Sequence, residues 1–124
     1  MAVERVPKEK VRNYGIVNGT KVTEGTYIVK SLVEKLAPED TLSDLGITGI
    51  YVMEPDIFYY LGQIKIGKNG EYQFTDALNS YSINNKMYAT MFSGKRFDIG
   101  NMEMWIKTFF EFVSNDKRYA HLIR

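Results

Sequence analysis

Apolar positions in this chain fall into short alternating runs first and into helical spacing later. Residues 2–6 read as a strand, and residues 7–12 as a charged connection. Tyr14-Gly15-Ile16-Val17 reads as the next strand. Asn18-Gly19 is a strong hairpin signal, because both residue types accept the positive φ of a tight turn. Residues 21–23 return, Glu24-Gly25 turns again, and residues 26–33 form a β-branched strand. The whole stretch is expected to be a meander of antiparallel strands. Residues 47–53 give a further buried strand. A short helix over 55–61 starts with Pro55 at its first position, and Ile57, Phe58 and Leu61 form its buried face. Residues 65–70 are a glycine-containing loop, 75–81 a helix, and 87–92 a short apolar strand. The longest helical pattern is 102–113. Its wide apolar face, with Met102, Trp105, Ile106, Phe109, Phe110 and Val113, calls for core burial extended into an interface. Residues 114–116 end that helix and 117–124 are a short basic-aromatic tail.

Length changes this picture little: 124 residues suit one domain, 1–124, with a core that needs no staples. Sixteen basic against fifteen acidic residues leave a net charge of +1, without the basic excess of a nucleic-acid binder. The absence of cysteine removes disulfides, thiolate zinc sites and cysteine nucleophiles. The one histidine, His121, lies in the tail and reads as a surface residue rather than part of a triad. No run reaches the about 18 apolar residues of a membrane span, and the start lacks a signal-peptide pattern. The expected setting is cytoplasmic, with no membrane partner.

Candidate chemistry concentrates between the 87–92 strand and the long helix, in Gly94-Lys95-Arg96-Phe97-Asp98-Ile99-Gly100-Asn101. A carboxylate between glycines at a strand-to-helix junction suits a site: glycine lets the backbone approach a ligand, and a helix start offers free N–H donors. The same residues also make a plain turn, with Asp98 as a turn residue, Asn101 as N-cap, and Lys95 and Arg96 as solvated charges. Both readings fit this stretch alone.

Gly-Lys-Arg-Phe-Asp-Ile-Gly resembles the C-terminal motif of sugar-phosphate nucleotidyltransferases, nearest to the UTP–glucose-1-phosphate uridylyltransferases. Further motifs follow in order: Val-Glu-Arg-Val-Pro at 3–7, Asn-Tyr-Gly-Ile-Val at 13–17, Leu32-Val33-Glu34-Lys35, Gly49-Ile50-Tyr51, and Gly70-Glu71-Tyr72-Gln73-Phe74-Thr75-Asp76-Ala77. Two places depart from the family pattern. Leu36 follows Lys35 where the family has proline, and Ser43-Asp44-Leu45-Gly46 stands for Ser-Asn-Leu-Ala.

The resemblance implies an α/β fold of α+β-like character: a mixed β-sheet with flanking helices, like the sugar-binding half of a Rossmann-like nucleotide-diphospho-sugar transferase. It also implies site roles. Gly15 would let the backbone lie against a hexose. Glu34 would accept sugar hydroxyls, since a carboxylate takes two adjacent hydroxyls as charge-assisted bonds. Lys35 would place a cation on the sugar phosphate. Tyr14, Glu71 and Gln73 are weaker pocket candidates. Asp98 would be a metal ligand, and Mg²⁺ the cofactor. Taken without the resemblance, Glu34 and Lys35 read as an exposed pair after a strand.

The resemblance covers nearly the whole chain but only the family's second half. The first half carries a glycine-rich loop with an arginine and a lysine, and an aspartate that shares the metal. The ten glycines here are scattered and form no such loop. This leaves the enzymatic standing of the chain uncertain. It also leads to the expectation that the chain self-associates or docks on a partner carrying the nucleotide-binding half, because a sheet cut there exposes strand edges. Three functions follow: the sugar-phosphate side of a uridylyltransferase; a non-catalytic sugar-nucleotide-binding or protein-interaction module of the same descent; and an unrelated small α+β interaction domain.

Overall fold

The computed structural model describes every residue except Leu42, Lys68, Asn69 and Arg124. Parts of the predicted 65–70 loop and of the 117–124 tail therefore lie outside the described residues. The chain divides into two compact units, 1–92 and 93–124.

The first unit is built on a mixed sheet of five strands, β1 (Ala2–Arg5), β2 (Gly15–Thr23), β3 (Thr26–Glu34), β4 (Leu45–Ile47) and β5 (Tyr88–Met91). Their order is β1-β4-β2-β3-β5, and β5 returns to pair with β1, closing the sheet into a small barrel. Among the described strands only that closing pair is parallel. A 3-10 helix, Lys8–Asn13, replaces the predicted plain connection and buries Val11. Val6, Val11 and Ile16 form a small cluster there, with the Tyr14 ring packed on it. The main core lies between the sheet and α2 (Phe74–Asn84). Thr75, Ala77, Leu78 and Tyr81 are the buried face of α2, at the spacing a helix laid on a sheet requires. The short α1 (Ile57–Leu61) packs beside α2 through Ile57.

The Asn18-Gly19 hairpin is not formed. β2 runs through both residues, and the turn falls at Glu24-Gly25, where Gly25 has φ 74°. Gly19 has a different use: a Cβ there would stand 2.6 Å from the Ile28 carbonyl oxygen. This close approach accompanies a bulge. Asn18 pairs with Ser31 but Gly19 with Val29, so Lys30 is the extra residue on β3. A bulge reverses which face later residues occupy. Before it, Tyr27 and Val29 point inward; after it, Leu32 does, and Glu34 shares the parity of Leu32.

Three further expectations are corrected. The strand expected over 47–53 ends at Ile47: Ala2 still accepts the Thr48 N–H and donates to the Ile50 carbonyl, but Gly49 between them, at φ 83°, breaks the extended backbone. Ile50 and Val52 beyond it are exposed. In α1, Pro55 lies before the helix and Phe58 points to solvent, leaving Ile57 as the buried residue. At Gly46, the departure from the family's alanine has a local reason: a Cβ there would be 2.7 Å from Val6 Cγ1, since Gly46 sits between β1 and β2.

The second unit contains α3 (Met102–Asn115) and a 3-10 turn, Ala120–Ile123. Asn101 is the N-cap: its side chain accepts the Met104 N–H at 2.9 Å. Glu103 and Lys107 pair at i,i+4 in the favourable order. The expected core burial of the apolar face does not occur. None of the α3 residues is buried, and Trp105, Phe109 and Phe110 are each 50% exposed. Trp105 and Phe109 stack on each other instead, 5.7 Å between centroids.

Candidate functional site

Glu34 and Lys35 border an open cleft of about 480 Å³, with Leu32, Val33, Gly67, Gln73 and Asp76 as its other walls. The bulge at Lys30 brings the Glu34 carboxylate to the side of the sheet that α2 covers. There the Thr75 hydroxyl, in the first turn of α2, donates to Glu34 Oε2 at 2.5 Å. Thr75 is only 6% exposed. A negative charge beside a helix N-terminus is favourable, because the first-turn N–H dipoles point toward it. Oε1 of Glu34 accepts no hydrogen bond from the described residues, so it is open to a ligand.

Gly15 lies across the ladder from Glu34. A Cβ on Gly15 would be 2.9 Å from Glu34 Oε2, 3.0 Å from Ile47 Cδ1 and 3.3 Å from Thr75 Oγ1. The room it leaves is filled by the carboxylate and its anchor. Lys35 follows in the left-handed region, φ 51°, and is the one described non-glycine residue there. Such a conformation costs about 1–3 kcal/mol and is held only where its surroundings demand it. Here the Lys35 N–H donates to the Tyr14 carbonyl at 3.0 Å. Tyr14 thus meets Lys35 through its backbone; its ring packs in the Val6–Val11–Ile16 cluster and does not line the cleft.

Gln73 is on the cleft rim, and its amide donates to Glu71 Oε2 at 3.1 Å. Glu71 is exposed, is not a cleft wall, and accepts the Gly67 N–H through its carbonyl. Its contacts are those of a loop.

Asp98 belongs to the second unit. Its Oδ1 accepts the Gly100 N–H at 3.0 Å, and Arg96 donates to Oδ2 at 3.3 Å, while the side chain stays half exposed. This is the turn geometry of a short acidic side chain leading into the Asn101 cap. Lys95 is paired with Glu111 of α3. Among the described residues no three carboxylate, histidine or cysteine groups converge on a metal position.

The sequence reading passed over two side chains. Thr75 lies in the quoted Thr-Asp segment, but its link to Glu34, 41 residues away, has no local signal. Tyr51 is half-buried, edge-on to Phe74 at 5.0 Å. Burial, and secondly the negative charge of Glu34, raise its pKa above the ordinary 10.0. The folded state therefore favours neutral Tyr51. Its contribution to stability is complete below about pH 10 and is lost as pH rises through the raised value, since the unfolded chain ionises first. Urea unfolding followed across that range should fall more steeply for the wild type than for Tyr51→Phe. Parallel curves would remove Tyr51 from the electrostatics of the site.

A sequence profile of the nucleotidyl transferase family matches residues 1–114. The chain belongs to that family. Among similar nucleotidyl transferases, the UTP–glucose-1-phosphate uridylyltransferase of Pseudomonas aeruginosa is 39% identical over 107 residues, covering 86% of this chain and 38% of the relative. The enzyme of that name from Bacillus subtilis is 38% identical over 117 residues, covering 94% and 40%. A crystal structure of UDP-glucose pyrophosphorylase complexed with UDP-glucose superposes with a TM-score of 0.88 at 39% identity, over 93% of this chain and 44% of that one. The chain thus spans about two fifths of the length of the curated relatives it matches.

Two statements follow for a nucleotidyl transferase. The mixed sheet with flanking helices is the family's fold, as expected. The expectation that a missing glycine-rich half leaves its enzymatic standing uncertain is overturned, because the catalytic family's profile and its solved structures match across nearly the whole chain. Glycine spacing reports on one phosphate-binding loop. Family membership is carried by the sheet, its core and the ordered motifs. No helix among the described residues is long and apolar enough to cross a membrane.

Proposed function

We propose that this chain takes part in uridylyl transfer to a sugar 1-phosphate, with glucose 1-phosphate and UTP as substrates and UDP-glucose and pyrophosphate as products, and that its cleft holds the sugar phosphate. The observation that carries this is the anchored Glu34 carboxylate beside Lys35 in a cleft of about 480 Å³, ample for a hexose phosphate. The names of the matched relatives supply the reaction, and the order of the motifs supports reading the chain as the later part of the family's sequence.

In this reading Glu34 accepts sugar hydroxyls through Oε1 and the remaining lone pairs of Oε2. Lys35 neutralises the phosphate, whose repulsion from a triphosphate is the main obstacle to the reaction. A phosphate oxygen attacks the α-phosphorus in line, the new P–O bond forms, and the bond to pyrophosphate breaks. An anionic phosphate is already a nucleophile, so no general base is assigned. Gly15 admits the carboxylate, Tyr14 fixes the Lys35 backbone, and Gln73, tethered by Glu71, borders the ligand. Asp98 is the one metal ligand assigned to this chain. Its half-exposed carboxylate would hold Mg²⁺, which would supply neutralisation of phosphate charge.

Calorimetric titration with glucose 1-phosphate and with UDP-glucose tests the reading. Saturable heat is expected with both. No heat with either would overturn it. The exposed apolar face of α3 also supports self-association of the chain, as does the number of aromatic side chains on it. Sedimentation velocity should find a dimer or larger species, and a monomer at high concentration would refute this.

A further inference from the structure

We propose that Thr75 is the positioning residue of the cleft: its hydroxyl fixes the Glu34 carboxylate so that Oε1 is presented to the sugar. This rests on the sugar-phosphate reading above.

Three independent features of the fold converge on one carboxylate oxygen. The Lys30 bulge gives Glu34 the inward parity of Leu32. Gly15 leaves the space that Oε2 occupies; any Cβ would meet it at 2.9 Å. Thr75 then donates to Oε2 at 2.5 Å from a site 94% buried. A threonine in the first turn of a helix commonly bonds its own backbone. This one spends its only proton on a side chain 41 residues earlier in the chain.

The arrangement divides the carboxylate into two parts. Oε2 is held by the protein, while Oε1 takes no bond from the described residues and is left for a ligand in the cleft that Glu34 borders. A glutamate has three rotatable bonds, and a sugar hydroxyl needs its acceptor within a few tenths of an ångström. An anchor on α2, whose Leu78 and Ala77 are fully buried, ties the carboxylate to a helix held in the core. Thr75 touches no substrate in this account. It acts through Glu34 and governs sugar recognition rather than phosphate charge.

The test is titration of the full chain with glucose 1-phosphate and with inorganic phosphate, for the wild type, Thr75→Val, Thr75→Ser, Glu34→Gln and the Thr75→Val/Glu34→Gln pair. Valine keeps the volume and loses the hydroxyl, so glucose 1-phosphate affinity should fall about tenfold, the worth of one charge-assisted bond. Serine should restore it. Phosphate affinity, carried by Lys35, should not change. In the Glu34→Gln background the valine substitution should add much less than tenfold, since both changes act on one contact. Wild-type affinity in Thr75→Val, or an equal loss in both backgrounds, overturns the positioning role and leaves the sugar-phosphate reading standing. Equal losses for glucose 1-phosphate and phosphate would reduce Thr75 to a structural residue and also overturn it. Failure of the wild type to bind glucose 1-phosphate overturns the role of Thr75, and the reading itself falls with it when UDP-glucose gives no heat either.

Discussion

Glu34→Ala should abolish measurable binding of sugar phosphate. The carboxylate is expected to accept two sugar hydroxyls, and each charge-assisted bond contributes about 1.5–3 kcal/mol, so a loss of about 100-fold or more follows. Part of the effect will be structural. Removing the carboxylate strands the buried Thr75 hydroxyl, which costs about 1–3 kcal/mol in stability. Glu34→Gln separates the two contributions. Its amide oxygen can still accept from Thr75, so the fold should keep most of its stability while the charge is lost. Calorimetry against glucose 1-phosphate, paired with urea unfolding of both variants, gives the comparison. Binding within a few-fold of the wild type in Glu34→Ala would show that the sugar does not rest on this residue.

Leu78→Ala should produce the largest loss of stability. Leu78 is fully buried at the centre of the face that α2 lays on the sheet. Val3, Val17 and Ala89 of the same core cluster are also at 0% exposure, and they come from three different strands, so the core there has little freedom to collapse. The expected cost is about 3–5 kcal/mol, a large part of the total stability of a small domain. Phe58→Ala is the contrast. The helical pattern assigns Phe58 to a buried face, but it is 73% exposed, and its loss should cost no more than about 0.5 kcal/mol. Chemical unfolding of the two variants decides the matter: similar costs for both would mean that α1 and α2 pack differently from the structure described here. The loss in Leu78→Ala should also loosen the cleft, because α2 carries Thr75 and Asp76 and begins directly after Gln73.

Much of this was legible in the chain itself. The alternating runs located β1, β3, β5 and the two ends of β2, and helical patterns located α2 and α3 with the correct cap at Asn101. The resemblance of ordered motifs marked Glu34 and Lys35, which do border one cleft. These features are local: a strand's period, a cap and a turn depend on neighbouring residues. What tertiary structure alone decided is non-local. Asn18-Gly19 has every mark of a hairpin, yet both sides of it pair with one partner strand, and the gain from a continuous ladder outweighs the turn preference. The apolar period of α3 predicts burial, but period states which side chains share a face and not what, if anything, covers it. The bulge at Lys30 is invisible in the sequence, because it is a mismatch between two strands rather than a property of either. Yet that single extra residue turns Glu34 from the outer face to the inner one and lets Thr75, far along the chain, take hold of it. Sequence supplied the carboxylate; the register between β2 and β3, set by the packing of the whole sheet, gave it a direction.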